Sequence, residues 1–275
     1  MTPGQWLDEL QNILGHSIFP KDYIVFDVET TGRVFYGANG QHTPVNNGHH
    51  DLITQIGHCV VRDGEAKHKG GVILDWTDES VHALHEFEVM GDSEWIRAKL
   101  EYLERVFEER GRTYQVPFDK MKSEGENPVE VLAAYYDMFQ DAREKGMKFV
   151  GHNAWGFDVK MVRYHFRQYL DKDFAWEHDE IIDTGMLEKA IQERENLYAS
   201  LPWSTENLKT WSRRQANSPR AGVKWNLDQH VVGKYDLVKR YNLDMVDAHD
   251  ASFDCYITHL LLKSLEELYK DKDKV

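Results

Sequence analysis

Tyr23-Ile24-Val25-Phe26-Asp27-Val28-Glu29 is the stretch that decides the fold. It is an apolar run broken only by two acids, and such a run reads as a buried strand. Asp27 and Glu29 stand two residues apart, so an extended chain points both to one face. Their spacing is then about 6.6 Å, at about 3.3 Å per residue. Two unpaired carboxylates in an apolar strand are costly. A cation that prefers oxygen ligands, Mg²⁺ or Mn²⁺, resolves the conflict. A solvated strand end with both acids facing water resolves it too, and the pair alone does not choose.

Working outward, Trp6, Leu7, Leu10, Ile13 and Leu14 recur at helical spacing before Pro20. This predicts an amphipathic helix packed on the core, as an N-terminal extension over residues 1–20. After the first strand, residues 32–50 carry Gly37, Gly40, Pro44 and Gly48. A connection of this length is either functional or mobile. Leu52–Val61 and Gly70–Trp76 read as two more strands, paired with the first as a meander. Trp95, Leu100, Leu103 and Phe107 mark a helix with Gly111 as its stop. Asn127-Pro128-Val129-Glu130 supplies a cap, a first-turn proline and an acid for a second helix to about Ala142. Met147–Gly151 is a short strand, Trp155–Tyr169 a helix, and Asp179–Asp183 another short strand. Helical stretches follow to about Arg214, and a last helix spans about Ala248–Tyr269. Strands followed by helix–strand alternation give an α/β chain, a mixed β-sheet with helices on both faces. Residues 21–270 form a single domain with insertions at about 32–50 and 76–125.

The 275 residues include eight Trp and 41% hydrophobic residues, so the chain can bury a core and intrinsic disorder is excluded. Thirty-three Lys and Arg face 47 Asp and Glu, a formal charge of −14. Coating nucleic acid or an anionic membrane by bulk charge is thereby disfavoured. Cys59 and Cys255 are the only cysteines, which excludes a disulfide framework or a Cys-rich zinc module. With no signal-peptide pattern and no apolar run long enough for a membrane span, a cytoplasmic location is expected.

Two further acidic sites stand out. Asp158 follows Gly151-His152-Asn153-Ala154-Trp155-Gly156-Phe157, where a strand turns into a helix. His249-Asp250-Ala251-Ser252-Phe253-Asp254 opens the last helix. Five residues are about 500° of helix, so His249 sits at or before the first turn and Asp254 one turn inside. A histidine there is either a cap or a general base.

In order, Phe26-Asp27-Val28-Glu29-Thr30-Thr31-Gly32, Gly151-His152-Asn153 with Phe157-Asp158, and His249-Asp250-Ala251 with Asp254 resemble the DEDDh 3′→5′ exonucleases. That family includes the proofreading epsilon subunit, oligoribonuclease and ribonuclease T. Gln55-Ile56-Gly57 and Ile182-Asp183-Thr184 are supporting matches. The resemblance implies an RNase H-like fold and phosphodiester hydrolysis with two Mg²⁺ or Mn²⁺. By resemblance, Asp27 bridges the metals, Glu29 and Asp254 hold the one carrying the attacking water, Asp158 supports the second, and His249 takes the proton. Asp183 is mainly structural in the family, and Asn153 and His152 read first as turn residues.

The implied partner is nucleic acid with a free 3′ end, DNA favoured over RNA. The alternatives are an exoribonuclease, or a proofreading or interaction subunit with a polymerase or replication partner. The N-terminal helix and the Trp95–Arg110 helix are the candidate contacts for such a partner. Leu208–Arg240 carries eight basic residues against Asp228 and Asp236. It reads either as a basic patch that steers phosphates or as a solvated helix face. Trp211 and Trp225 lie within it, as do Arg213 and Arg214, and the tryptophans read as base-stacking or core residues. The 32–50 loop follows Glu29 directly, so Thr30, Arg33, Phe35, Tyr36 and Asn153 complete the nucleic-acid candidates. His42, His49 and His50 lack the spacing of a metal site.

Overall fold

A computed structural model describes residues 5, 7–8, 11–12, 17–31, 35–36, 42–43, 51–77, 93–177, 179–192, 227, 232–245 and 248–271. A five-stranded sheet carries the fold, in the order β5-β4-β1-β6-β7. β1 (Tyr23–Thr30) pairs antiparallel with β4 (Ile53–Arg62), which pairs antiparallel with β5 (Glu65–Ile73). On its other side β1 runs parallel to β6 (Lys148–Gly151), and β6 runs parallel to β7 (Ile181–Asp183). The sheet is therefore mixed, as expected. β2 (Phe35–Tyr36) and β3 (His42–Thr43) form a separate two-stranded ribbon.

Strand alternation sorts the core into two layers. Ile24, Phe26 and Val28 enter one cluster with Phe139, Phe149 and Phe166. Tyr23 and Val25 enter the other with Leu261, Leu262 and Leu265. Asp27 and Glu29 share the parity of Tyr23 and Val25, so they belong to the second face.

The first face is covered by α1 (Ser93–Glu109), α2 (Phe118–Glu124), α3 (Pro128–Glu144) and α4 (Asp158–Leu170). α3 starts where the sequence places it, with the Asn127 side chain accepting from the Val129 and Glu130 amides. α5 (Thr184–Gln192) follows β7, and two short turns, α6 (Val232–Lys234) and α7 (Leu237–Tyr241), precede the last helix. That helix, α8 (Ala251–Lys270), lies across β4, β1 and β5 on the second face.

The third strand starts five residues before its expected Gly70. Asp63 and Gly64, both at positive φ, make a two-residue hairpin from β4 into β5. The first half of β5 is polar and exposed because it is an edge strand. Both segments offered as partner contacts place described apolar residues in the core, while Trp6, Leu10, Ile13 and Leu14 of the first lie outside the described residues. Leu7 is buried in the second cluster, and Leu100 with Trp95, Leu103 and Phe107 packs on the first. Among the described residues no helix is long and apolar enough to cross a membrane.

Candidate active site

β1 brings Asp27 and Glu29 to the face that α8 covers. Asp27 stands opposite Gly57 of β4, and Gly57 stands opposite Gly71 of β5. A Cβ on Gly57 would lie 2.3 Å from the Ala251 carbonyl carbon, and one on Gly71 would lie 3.2 Å from the Ser252 Cβ. The missing side chains let the first turn of α8 rest directly on the sheet beside Asp27.

Gln55, on the same face, fixes that turn from both ends of its amide. Its Oε1 accepts from the Ala251 N–H at 3.0 Å, and its Nε2 donates to Asp250 Oδ2 at 2.8 Å. The other oxygen of Asp250 caps α8, accepting from the Ser252 and Phe253 amides at 3.0 Å each. His249, at φ 72°, stands outside the helix. α8 therefore begins at Ala251 rather than near Ala248, because Asp250 caps it and the left-handed residue before it cannot continue the helix.

Glu29, His249 and Asp254 converge, each offering one ligand atom, all within 4.8 Å of one another. His249 Nδ1 lies 3.9 Å from Glu29 Oε1, beyond hydrogen-bond length. The Nε2 of His249 is 2.7 Å from Arg112 Nη1, and Phe107 meets the imidazole edge-to-face at 5.1 Å.

Asp158 arrives from the opposite side, as the first residue of α4 rather than one turn inside a helix begun at Trp155. It is buried, and its Oδ1 accepts from the Val28 N–H at 3.0 Å, between the two strand acids. Pairing of β1 with β6 ends at Val25, which leaves that amide to Asp158.

The turn before Asp158 is held by Asp183. Its Oδ1 accepts from the Asn153 amide at 2.8 Å and the Met186 amide at 3.2 Å, and its Oδ2 from the Trp155 amide at 3.1 Å. Asn153 has the left-handed backbone (φ 60°) of a turn residue. His152 Nδ1 sits 3.0 Å from the Thr184 hydroxyl.

Burial pushes the Asp27 carboxyl up to about 7, with the Asp250 charge adding to it. Burial likewise drives Glu29 well above the carboxylate range, and Asp27, Asp254, Asp158 and Asp250 each push further. Asp158 is raised by burial and by Asp27, against the pull of the Val28 N–H. Asp250 goes the other way. Burial raises it, but the bonds from Ser252, Gln55 and the Phe253 amide outweigh that and hold it low. Clustered acids that repel one another and resist ionisation are what hard divalent cations stabilise, so this donor set fits such ions.

The five sequence candidates Asp27, Glu29, Asp158, His249 and Asp254 thus meet at one place. Thr30 ends β1 half-buried, where the register slips against β4. Phe35 and Tyr36 form the β2 strand of the ribbon. Arg33, Trp211, Trp225, Arg213 and Arg214 lie outside the described residues. Of the basic segment, Lys234 is paired with Glu188 and Arg240 with Glu267, so these two charges are spent within the protein.

Three residues at the site are not among the site candidates the sequence singles out. Asp250 lies inside the third motif, where its cap geometry was readable. Gln55 shares strand parity with Gly57, which places it on the α8 face. Arg112 had no local signal.

Residues 114–211 match the ribonuclease T family model, described as exonuclease. The match includes Asp158 and Asp183 and excludes the first and third motifs. No curated protein matches the chain. Among solved structures, the zinc-bound E. coli exonuclease I–single-stranded DNA complex is similar over 92% of this chain, with 16% identity and a TM-score of 0.51. E. coli exonuclease I with a 13-residue thymidine oligonucleotide is similar over 91%, with 15% identity and a TM-score of 0.49. This chain covers 41% and 43% of those two chains. Residues 114–211 thus match an exonuclease family model, and the mixed sheet with its helices is a fold this chain shares with the zinc-bound exonuclease I structure.

Proposed function

We propose that the protein is a metal-dependent 3′→5′ exonuclease acting on single-stranded DNA. The observation that carries this is the meeting of Glu29, His249 and Asp254 within 4.8 Å, beside Asp27 and with Asp158 held against Val28. The fold shared with a DNA-bound exonuclease I favours DNA as the substrate.

Asp27, Glu29, Asp158 and Asp254 would hold two Mg²⁺ or Mn²⁺. When bound, these ions supply Lewis acidity at the phosphate and lower the pKa of a water. His249 accepts the water's proton, the oxygen bonds phosphorus, and the bond to the 3′ oxygen breaks. The leaving oxygen takes a proton from solvent and becomes the new 3′ end of the strand. Asp183, Gln55 and Asp250 position these groups through the turn before Asp158 and the first turn of α8. Cys59 and Cys255, both buried and free, favour a reducing, cytoplasmic setting.

The test is directional digestion. A 5′-labelled single strand is offered with a free or a phosphorothioate-blocked 3′ end, beside the matching RNA. Stepwise shortening of the free DNA end, stopped by the block and slower on RNA, supports the reading. Internal cuts, or faster digestion of RNA, would replace it with an endonuclease or an exoribonuclease.

A further inference from the structure

Arg112 is placed by the end of α1. Gly111 adopts φ 66°, its amide donates to the Glu108 carbonyl at 2.8 Å, and the Arg112 amide donates to the Phe107 carbonyl at 2.9 Å. This is the double hydrogen bond of a Schellman ending, which gives the next residue a defined direction. Phe107 and Arg112 therefore reach His249 as one unit, the ring edge against the imidazole and the guanidinium on Nε2.

A guanidinium only donates, so His249 Nε2 must be the acceptor of that bond. The proton of the neutral imidazole then sits on Nδ1, the nitrogen that faces Glu29 at 3.9 Å. In this arrangement neither ring nitrogen has an open lone pair for a water's proton. The half-buried guanidinium is also a cation at the rim of a carboxylate cluster that repels phosphate. Arginine binds phosphate through two parallel bonds to an anion, where the imidazole offers the guanidinium a single neutral acceptor. A phosphate within reach therefore outcompetes the imidazole.

We propose that Arg112 is a substrate-phosphate residue that occupies the lone pair of His249 until nucleic acid arrives, and that the incoming phosphate draws it away and frees Nε2. The inference deepens the exonuclease reading and rests on it. Arg112 binds substrate and, through the same movement, readies the base. A site without substrate then holds its base capped.

The experiment uses the full chain with Arg112→Ala, Arg112→Gln and Arg112→Lys. Imidazole ¹⁵N signals of His249 are followed while a phosphorothioate-linked single strand is added. In parallel, steady-state cleavage and fluorescence anisotropy of the same strand are measured across salt concentrations. The expected result is an Nδ1–H tautomer in the free protein and a change at Nε2 when the strand binds. Arg112→Ala and Arg112→Gln should lower kcat/KM about tenfold, with the loss in KM, and flatten the salt slope by about one phosphate contact. Arg112→Lys should recover part of the binding as a point charge. A loss confined to kcat, with binding and salt slope unchanged, would overturn the proposal and leave Arg112 as a support for the ring. An Nε2 signal that does not respond to the strand would overturn it as well. Failure of the exonuclease reading looks different: the wild type leaves DNA intact, while anisotropy and the ¹⁵N signals still report whether phosphate displaces Arg112.

Discussion

Asp27 and Gly57 face one another across the β1–β4 pair, and the bare backbone of Gly57 is the surface on which Ala251 rests. A strand acid and the first turn of the last helix are adjacent because one residue between them has no side chain. Gly57→Ala would put a Cβ 2.3 Å from the Ala251 carbonyl carbon, against backbone that cannot swing aside. The helix must lift, which moves His249 and Asp254 away from Asp27 and Glu29. The expected loss is about 1–3 kcal/mol of stability, read by chemical denaturation, and a larger fractional loss of cleavage. Unchanged cleavage would show that the helix position is not critical to the site.

Gln55 joins the strand to the same turn. Gln55→Leu keeps the approximate volume but leaves the Ala251 N–H and Asp250 Oδ2 without their partner. Stability should fall by about 1–3 kcal/mol, the range for an unsatisfied buried polar group. Equal denaturation midpoints for variant and wild type would show that the amide is dispensable.

The raised carboxylates make stability depend on pH. Asp27 is held near 7 against an ordinary 3.8, so the folded protein binds its proton more tightly than the unfolded chain. That contribution is full below the ordinary value and is lost as pH rises through about 7. Glu29 and Asp158 shift in the same direction. Without divalent ions, Asp27→Asn should therefore be more stable than wild type at about pH 8, with the gap closing towards about pH 4. Mn²⁺ should reverse the order at about pH 8, because it needs the ionised carboxylates. Thermal unfolding in EDTA and in Mn²⁺ checks both signs. An Mn²⁺ shift that is the same in wild type and Asp27→Asn would remove Asp27 from the ion site.

The legible part of this architecture was local. Strand alternation alone put Asp27 and Glu29 on one face, and the Asn127-Pro128 start of α3 needed only a cap and a proline. Arg112 escaped because its contact with His249 spans 137 residues, and no helical or strand period links them. The early start of β5 escaped for a different reason. Its first residues are polar because they lie at an edge, so the hydrophobic pattern is silent there, although Asp63-Gly64 was a hairpin signal. The first turns of α4 and α8 were misplaced by about three residues because hydrophobic period sets neither start: α8 begins at the Asp250 side-chain cap after left-handed His249, and α4 begins after the turn at left-handed Asn153 that Asp183 holds.

Asp183 places Asp158 by accepting three backbone amides. Asp183→Ala leaves all three amides without this acceptor and should cost about 1–3 kcal/mol. It should also lower cleavage about a hundredfold as the Asp158 turn relaxes, since misplacement by about 1 Å has effects of that order. Cleavage that falls only as far as the folded fraction falls would show that Asp183 supports the fold and not the site.

The most direct test of the carboxylate centre compares wild type, Asp27→Asn, Asp254→Asn and His249→Ala on a 5′-labelled single strand, in Mg²⁺, Mn²⁺ and EDTA, with each protein's fold checked by circular dichroism. The account predicts a ladder from the 3′ end for the wild type with either ion and none in EDTA. It predicts background cleavage for the two carboxylate variants, and a loss of about a hundredfold or more for His249→Ala. A folded Asp27→Asn or Asp254→Asn protein that still shortens the strand at the wild-type rate would contradict it.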